Sequence, residues 1–323
     1  MTSSDESAYH PGGHKNAGMS VFASLREAFF PSIVRKNLCK SLCVPSFQDQ
    51  LFAHWAALCS IFFLLNFFLL TISAFFAGFV DATVGGGGLV QLPALFAILP
   101  ARSPPQLLGT NKLAAITGTI NASIAFCRRV TLPVRFMILT CLAAGIGSLI
   151  GAQVTRFISP ELFKLGLPVI LLGLLIYTLK HKRLGDLSAV GPFGPKAIVQ
   201  GCLIGAGIGF YDGFIGPGTG TFLIFLFIRV FRFDFLHASA AAKLVNVSTN
   251  LGAILLFGFT GNILWPVAIP MAIANAAGGT VGARYALWKG NTYVRRFFVI
   301  VVCILLAKTA WDGWNEVMKI AGR

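Results

Sequence analysis

The chain reads as long apolar stretches separated by short polar ones. Apolar segments run over roughly 52–80, 89–99, 106–127, 131–152, 162–179, 197–210, 221–231, 236–258, 263–286 and 294–312. A helix needs about 20 residues to cross the hydrocarbon core of a bilayer. Most segments therefore read as spanning helices, whereas 89–99, 197–210 and 221–231 are short and read as half-spans beside glycine-rich breaks. The fold class predicted is an all-α polytopic membrane protein. Residues 1–50 mix Ser, His, Gly, Pro and both charges, the composition of a tail that is largely disordered or lies on the membrane surface. Within it, Val21 to Phe30 could wind into a short amphipathic helix. The first long run, from Phe52, has no small-residue cleavage motif and reads as a retained span. A polar stretch at 180–196 is a cytoplasmic linker dividing a first membrane segment, 51–179, from a second, 197–323.

The two segments repeat one another. Gly78-Phe79-Val80-Asp81 matches Gly209-Phe210-Tyr211-Asp212, an offset of 131 residues (212 minus 81), and the offset continues without a gap. It places Gly85 on Gly216, Gly87 on Gly218, Lys112-Leu113 on Lys243-Leu244, Gly147 on Gly278 and Gly151-Ala152 on Gly282-Ala283. Apolar helices match one another cheaply, but Asp and Lys are rare at membrane depth, and both recur at one register.

Composition sharpens this picture. Of 323 residues 56% are apolar and 11% charged, against roughly 25% charged in soluble domains, and the mean hydropathy is +0.77. The net charge of +15 would suggest nucleic-acid binding in a soluble protein. Here the basic residues crowd into short loops and encode topology, so no nucleic-acid partner is expected. Arg128 and Arg129 sit opposite the uncharged Thr260-Gly261 of the other copy, while Arg229 and Arg232 sit opposite a loop holding only Arg102. Placing the basic loops in the cytoplasm makes the copies inverted repeats, each with a broken-helix hairpin followed by transmembrane helices. Seven cysteines and five histidines are scattered without metal-ligand spacing, so neither a metal nor a cofactor is expected.

Each hairpin turns at glycines: Asp81-Ala82-Thr83-Val84-Gly85-Gly86-Gly87-Gly88 in the first copy, and Asp212-Gly213-Phe214-Ile215-Gly216-Pro217-Gly218-Thr219-Gly220 in the second. Unwound backbone persists at membrane depth only where protein buries it or where it lines a polar cavity. Free N–H groups and the positive end of the following half-helix suit an anion. No Gly-Lys-Ser/Thr ending accompanies either loop, which sets nucleotide sites aside. Gly147/Gly151 and Gly278/Gly282, at four-residue spacing, read as helix packing.

Lys112 and Lys243 lie several residues into the helix after each hairpin, where a charge needs a partner. Asp81 or Asp212, from the same or the opposite repeat, is the candidate partner and the candidate ion-coupling group. The alternative is a structural salt bridge or a lysine snorkelling to the interface. Uncharged polar groups surround the lysines: Thr110, Asn111, Thr117, Thr119, Asn121 and Ser123 in one copy, Asn246, Ser248, Thr249 and Asn250 in the other. Lys243, Asn246 and Asn250 fall on one helical face. The expected substrate-binding set is Gly85, Gly86, Gly87, Gly88, Asn111, Lys112, Gly216, Gly218, Thr219, Gly220, Lys243, Asn246 and Asn250. Gln91, Tyr211 and Asn275 are weaker candidates, and Trp265, Trp288, Trp311 and Trp314 read as interface anchors.

The paired Gly-Phe-Xaa-Asp motifs, Gly85 to Gly88, Gly216-Pro217-Gly218, Thr110-Asn111-Lys112-Leu113 and Ala242-Lys243-Leu244-Val245-Asn246 resemble the TauE/SafE sulfite-exporter family over about residues 60 to 312. The resemblance implies a helix bundle built as two repeats, moving small sulfur-containing or organic anions such as sulfite or sulfonates across the plasma (inner) membrane. The reading that follows is a secondary transporter working by alternating access, with protons as coupling ion in the direction of export. The alternatives are an anion channel or an importer of a small organic carboxylate. An intramembrane enzyme would need a His-Glu-Xaa-Xaa-His or Gly-Xaa-Ser-Xaa-Gly motif, and the sequence holds neither. The expected partners are a small anion and the lipid bilayer, with assembly as a homo-oligomer left open.

Overall fold

The computed structural model of the chain describes the backbone of residues 45–157 and 193–289, single positions between 169 and 318, and side chains from residue 64 onward. The surface helix expected at 21–30, Cys39 and Cys43, most of the linker, and the greater part of the segments at 162–179 and 294–312 lie outside the described residues. The chain divides into two compact units, Met1–Phe63 and Leu64–Arg323; apart from the N-terminal part of one helix, the elements below belong to the second.

Every regular element among the described residues is helical: α1 (Pro45–Val84), α2 (Gly87–Ile98), α3 (Pro104–Cys127), α4 (Val134–Val154, continued by a 3-10 turn to Phe157), α5 (Pro195–Phe214), α6 (Thr219–Phe231), α7 (Phe235–Phe259) and α8 (Trp265–Lys289). Four stretches, Leu64–Val84, Val134–Phe157, Pro195–Phe214 and Phe235–Phe259, are long and apolar enough to cross a membrane, and α2 and α6 are shorter. The protein is thus an all-helical membrane protein.

Two expectations need correcting. The segment 197–210 is not a half-span: α5 has 20 residues. It begins at Pro195, whose fixed φ and missing N–H suit a first helical turn, and it continues through the polar Asp212 because that carboxylate is paired rather than exposed to lipid. The glycine loops are also shorter than the sequence suggests. α1 winds through Asp81 as far as Val84, leaving only Gly85 and Gly86 outside a helix, and the second break spans Ile215 to Gly218. Positive φ at Gly85, Gly216 and Gly218 confines the reversal to these few residues.

Many large apolar side chains face outward, as a protein in water would not allow, and polar ones gather inside. Phe68 is 61% exposed, Ile146 63% and Ile273 69%, while Lys112, Asn111, Thr119, Asn246 and Asn250 are buried. With lipid as solvent no hydrophobic force draws helices together, so close packing and interhelical hydrogen bonds do so instead. Glycine supplies the closeness. A Cβ on Gly147 would strike the carbonyl of Ala206, and one on Gly151 that of Phe210. In the other repeat, a Cβ on Gly278 would strike Phe75 and one on Gly282 would strike Phe79.

These contacts are exchanged by the 131-residue shift, which carries Phe75 to Ala206 and Phe79 to Phe210. The hydrogen bonds between helices follow the same rule: Thr117 donates to the Ala272 carbonyl at 2.7 Å, and Ser248, its counterpart, donates to that of Cys141 at 2.6 Å. So α1 packs on α8 of the other repeat as α5 packs on α4. The counterparts α3 and α7 run antiparallel: Gly109 near the start of α3 abuts Phe257 and Asn262 at the end of α7, and Phe126 shares a cluster with Ala240 near its start.

An aromatic cluster braces the second hairpin. Phe227 and Phe231 of α6, with Phe233 after it, gather around Phe136 of α4 and Phe193, with Phe136 and Phe193 stacked at 4.6 Å. Aromatic pairs in such arrangements add about 0.5–1.5 kcal/mol each beyond their buried area. They anchor the far end of α6 and leave its tip to the polar centre.

Candidate functional site

The two hairpin tips meet in the middle of the bundle. Gly85 lies so close to Gly220 that a Cβ on either would overlap the other's backbone, and Gly88 faces Pro217 and the Gly216 carbonyl. Thr221 donates its hydroxyl to the Val84 carbonyl at 2.8 Å, joining α6 to the end of α1.

Each tip carries an aspartate in the last turn before its break, and each aspartate holds the start of the next half-helix. Asp81 accepts from the backbone N–H of Gly87, the first residue of α2, at 3.4 Å. Asp212 accepts from the hydroxyl of Thr219, the first residue of α6, at 2.6 Å. A charged acceptor makes these stronger than neutral hydrogen bonds, and a negative group at a helix start is favoured by the dipole.

Both lysines pair across the repeats. Lys112 of α3 lies 2.6 Å from the Asp212 carboxylate, with both side chains almost fully buried. Lys243 of α7 donates to the backbone carbonyl of Asp81 and stands 3.8 Å from its carboxylate. The sequence left open whether the partner comes from the same or the opposite repeat; it comes from the opposite one. Two lysines and two aspartates make the centre neutral. Removing one member of such a buried pair strands the other and costs about 3–5 kcal/mol.

Around these pairs is a small cavity, in which the centre of a water molecule can occupy about 20 Å³, room for about one water. Asp81, Gly85 and Gly88 line it from the first hairpin, and Asp212, Gly216, Gly218 and Thr219 from the second. Asn111, Lys112, Ala115 and Thr119 of α3 and Asn246 and Asn250 of α7 close it. Asn111 is buried there, and its amide oxygen accepts no hydrogen bond. Of the expected residues, Gly86, Gly87, Gly220 and Lys243 are not among the lining. Gly86 precedes α2, Gly87 is held by Asp81, Gly220 packs on Gly85, and the Lys243 amine is taken up by Asp81.

Two lining residues, Ala115 and Thr119, were not among those expected to bind. The repeat carries the signal that finds them, since the shift of 131 takes Ala115 to Asn246 and Thr119 to Asn250. Thr119 sets its hydroxyl 3.0 Å from the Asp81 carboxylate and 2.9 Å from the Ala115 carbonyl, so it ties α3 to α1. The weaker candidates lie elsewhere. Asn275 donates to the Ala74 carbonyl and to Gln91, and Tyr211 donates to the Pro217 carbonyl at 2.6 Å, which stiffens the second break.

The chain matches the family described as Sulfite exporter TauE/SafE over residues 70–309. It is 35% identical over 241 residues to a probable membrane transporter protein of Haemophilus influenzae, covering 74% of this chain and 93% of the relative. It is 34% identical to the probable membrane transporter protein YfcA of Escherichia coli K12, covering 75% and 89%, and 24% identical to the probable membrane transporter protein YunE of Bacillus subtilis, covering 77% and 99%. No solved structure matches it.

Proposed function

The chain belongs to the TauE/SafE sulfite exporter family and is a membrane transporter, and from that premise we propose that it is a secondary carrier of small anions of the sulfite or sulfonate type, exporting them through the plasma membrane by alternating access with protons as coupling ion. The observation that carries this reading is the small polar cavity where two helix breaks meet, lined by one lysine, two aspartates, two threonines, three asparagines and the glycines of both breaks.

The chemistry suits an oxyanion. Lys112 supplies the opposite charge, while Asn111, Asn246 and Asn250 can supply directional donors without adding charge. Gly88 near the start of α2 and Thr219 at the start of α6 line the cavity from opposite repeats, and helix starts favour negative ligands. The proton reading rests on Asp81 and Asp212, carboxylates held beside lysines at membrane depth. Tips in van der Waals contact favour a carrier that opens to one side at a time over a permanent pore.

The test is flux of labelled sulfite and a short sulfonate in proteoliposomes, with and without a pH gradient, with a short carboxylate for comparison. Wild type should carry the sulfur anions, the gradient should accelerate them, and Lys112→Ala should reduce flux by about a hundredfold, the scale of one charge-assisted contact in a dry site. Equal flux through wild type and Lys112→Ala would remove the site assignment. Carriage of the carboxylate alone would replace the substrate class.

A further inference from the structure

The two lysine–aspartate pairs occupy equivalent repeat positions but are not held alike. Asp81 is tied on several sides: Thr119 of α3 reaches its carboxylate, Lys243 of α7 takes its carbonyl, and Gly87 leans on its other oxygen. The hydroxyl that serves Asp212 comes from Thr219, within the same hairpin, and is set 2.8 Å from the Gly216 carbonyl of that hairpin as well. The polar link from Asp212 to another helix is therefore Lys112, whose amine rests on Gly216 and lines the cavity.

We infer that the pairs have divided the work: Lys112–Asp212 is the pair that opens, with Asp212 as proton acceptor and Lys112 as anion ligand, while Lys243–Asp81 is a strut that stays closed through the cycle. This deepens the carrier reading and rests on it. The charges set the stoichiometry. The centre is neutral with both pairs made, so an anion entering alone would leave a buried net charge of −1. A proton from water bonds to the Asp212 carboxylate and neutralises it. The Lys112 ammonium keeps its own proton, loses its partner and pairs with the anion. One proton thus accompanies each monoanion and no net charge crosses, so export runs when the outward anion gradient exceeds the inward proton gradient.

The groups facing Asp212 allow this. α3 brings Lys112 and α6 the Thr219 hydroxyl. α4 brings Ser148, whose hydroxyl is spent on the Thr249 carbonyl, and the turn after it brings Thr155, which donates to the Gly213 and Phe214 carbonyls. α7 brings Asn246 and Asn250 to the same cavity, while its Lys243 is committed to Asp81 on α1. The neighbouring Tyr211 donates to Pro217. Among the described residues, Lys112 is the cation set to exchange a carboxylate for an incoming anion.

The experiment uses methanesulfonate, a fixed monoanion, with the full chain in proteoliposomes. Wild type should take up one proton per methanesulfonate and show no response to membrane potential. Asp212→Asn should still exchange methanesulfonate across the bilayer but lose acceleration by a pH gradient. Asp81→Asn should slow flux yet keep that acceleration. Loss of gradient drive in Asp81→Asn with retention in Asp212→Asn would overturn the assignment, as would wild-type uptake that moves net charge. Amide hydrogen exchange on the same proteins in detergent needs no substrate and so separates this inference from the carrier reading. Asp212→Asn should raise exchange at residues 213–220 and leave 85–89 protected, and equal opening of both tips would refute the division.

Discussion

Thr119 and Thr219 each set a hydroxyl against an aspartate, at 3.0 and 2.6 Å, yet they are not repeat counterparts. Thr119 corresponds to Asn250 and Thr219 to Gly88. Thr119 reaches from α3 into another helix and cross-links the bundle, whereas Thr219 stays within its own hairpin. A hydrogen bond to a charged group is worth about 1.5–3 kcal/mol, but the loss should appear in different places. Thr119→Ala should lower the unfolding midpoint in detergent by several degrees. Thr219→Ala should leave that midpoint nearer wild type and slow anion flux, and thermal melts beside flux assays check both.

The strut pair gives a prediction about stability alone. Lys243→Met leaves Asp81 as a buried carboxylate without its cation, at a cost of about 3–5 kcal/mol, and neutralising the partner as well should recover part of it. Lys243→Met/Asp81→Asn should therefore melt at a higher temperature than Lys243→Met. Equal melting points would mean that the two residues do not interact as described.

Glycines facing different surroundings should differ sharply in tolerance. Gly151 on α4 lies against the Phe210 backbone, whereas a methyl group added at Gly207 on α5 would find nothing within 4 Å. Gly207→Ala should be neutral or stabilise by about 0.5–1 kcal/mol, because alanine has less backbone freedom to lose. Gly151→Ala should sharply reduce the yield of monodisperse protein, read by size-exclusion chromatography.

The opposed direction of α3 and α7 predicts that their corresponding ends face opposite sides of the membrane. Arg129 and Thr260 are repeat counterparts at the ends of these helices. Single cysteines placed there in a cysteine-free protein should react with an impermeant thiol reagent from opposite sides, Arg129→Cys from the cytoplasm and Thr260→Cys from outside. Reaction from one side would show that the copies are not inverted.

Much of this was legible in the sequence because rare residues recur at one offset. Asp81, Asp212, Lys112 and Lys243 stand out against apolar surroundings, and the shift of 131 sets them in register without knowledge of any contact. The helix count through α5 and α6 was harder. Apolar length misjudged 197–210 because Asp212 looks like a boundary until its partner is known, and that partner lies 100 residues away in sequence (212 minus 112). The difference between the lysines could not be read from the sequence, since both stand at one repeat position before a leucine and each has an aspartate to pair with. The distinction comes from which oxygen each amine reaches, a matter of ångströms set by tertiary packing. Thr119 was within reach of the repeat logic, and its short, common side chain hid it among the hydroxyls that brace helices in lipid.

The packing of α1 on α8 bears on how the protein is made. A ribosome delivers helices to the membrane in chain order, yet α1 has its glycine-tight neighbour among the last described helices, and Asp81 waits for Lys243 on α7. Until the second repeat is made, Gly78 and Gly118 lack the Asn275 backbone that covers them, and Asp81 lacks its cation. The first repeat is thus incomplete until the second arrives.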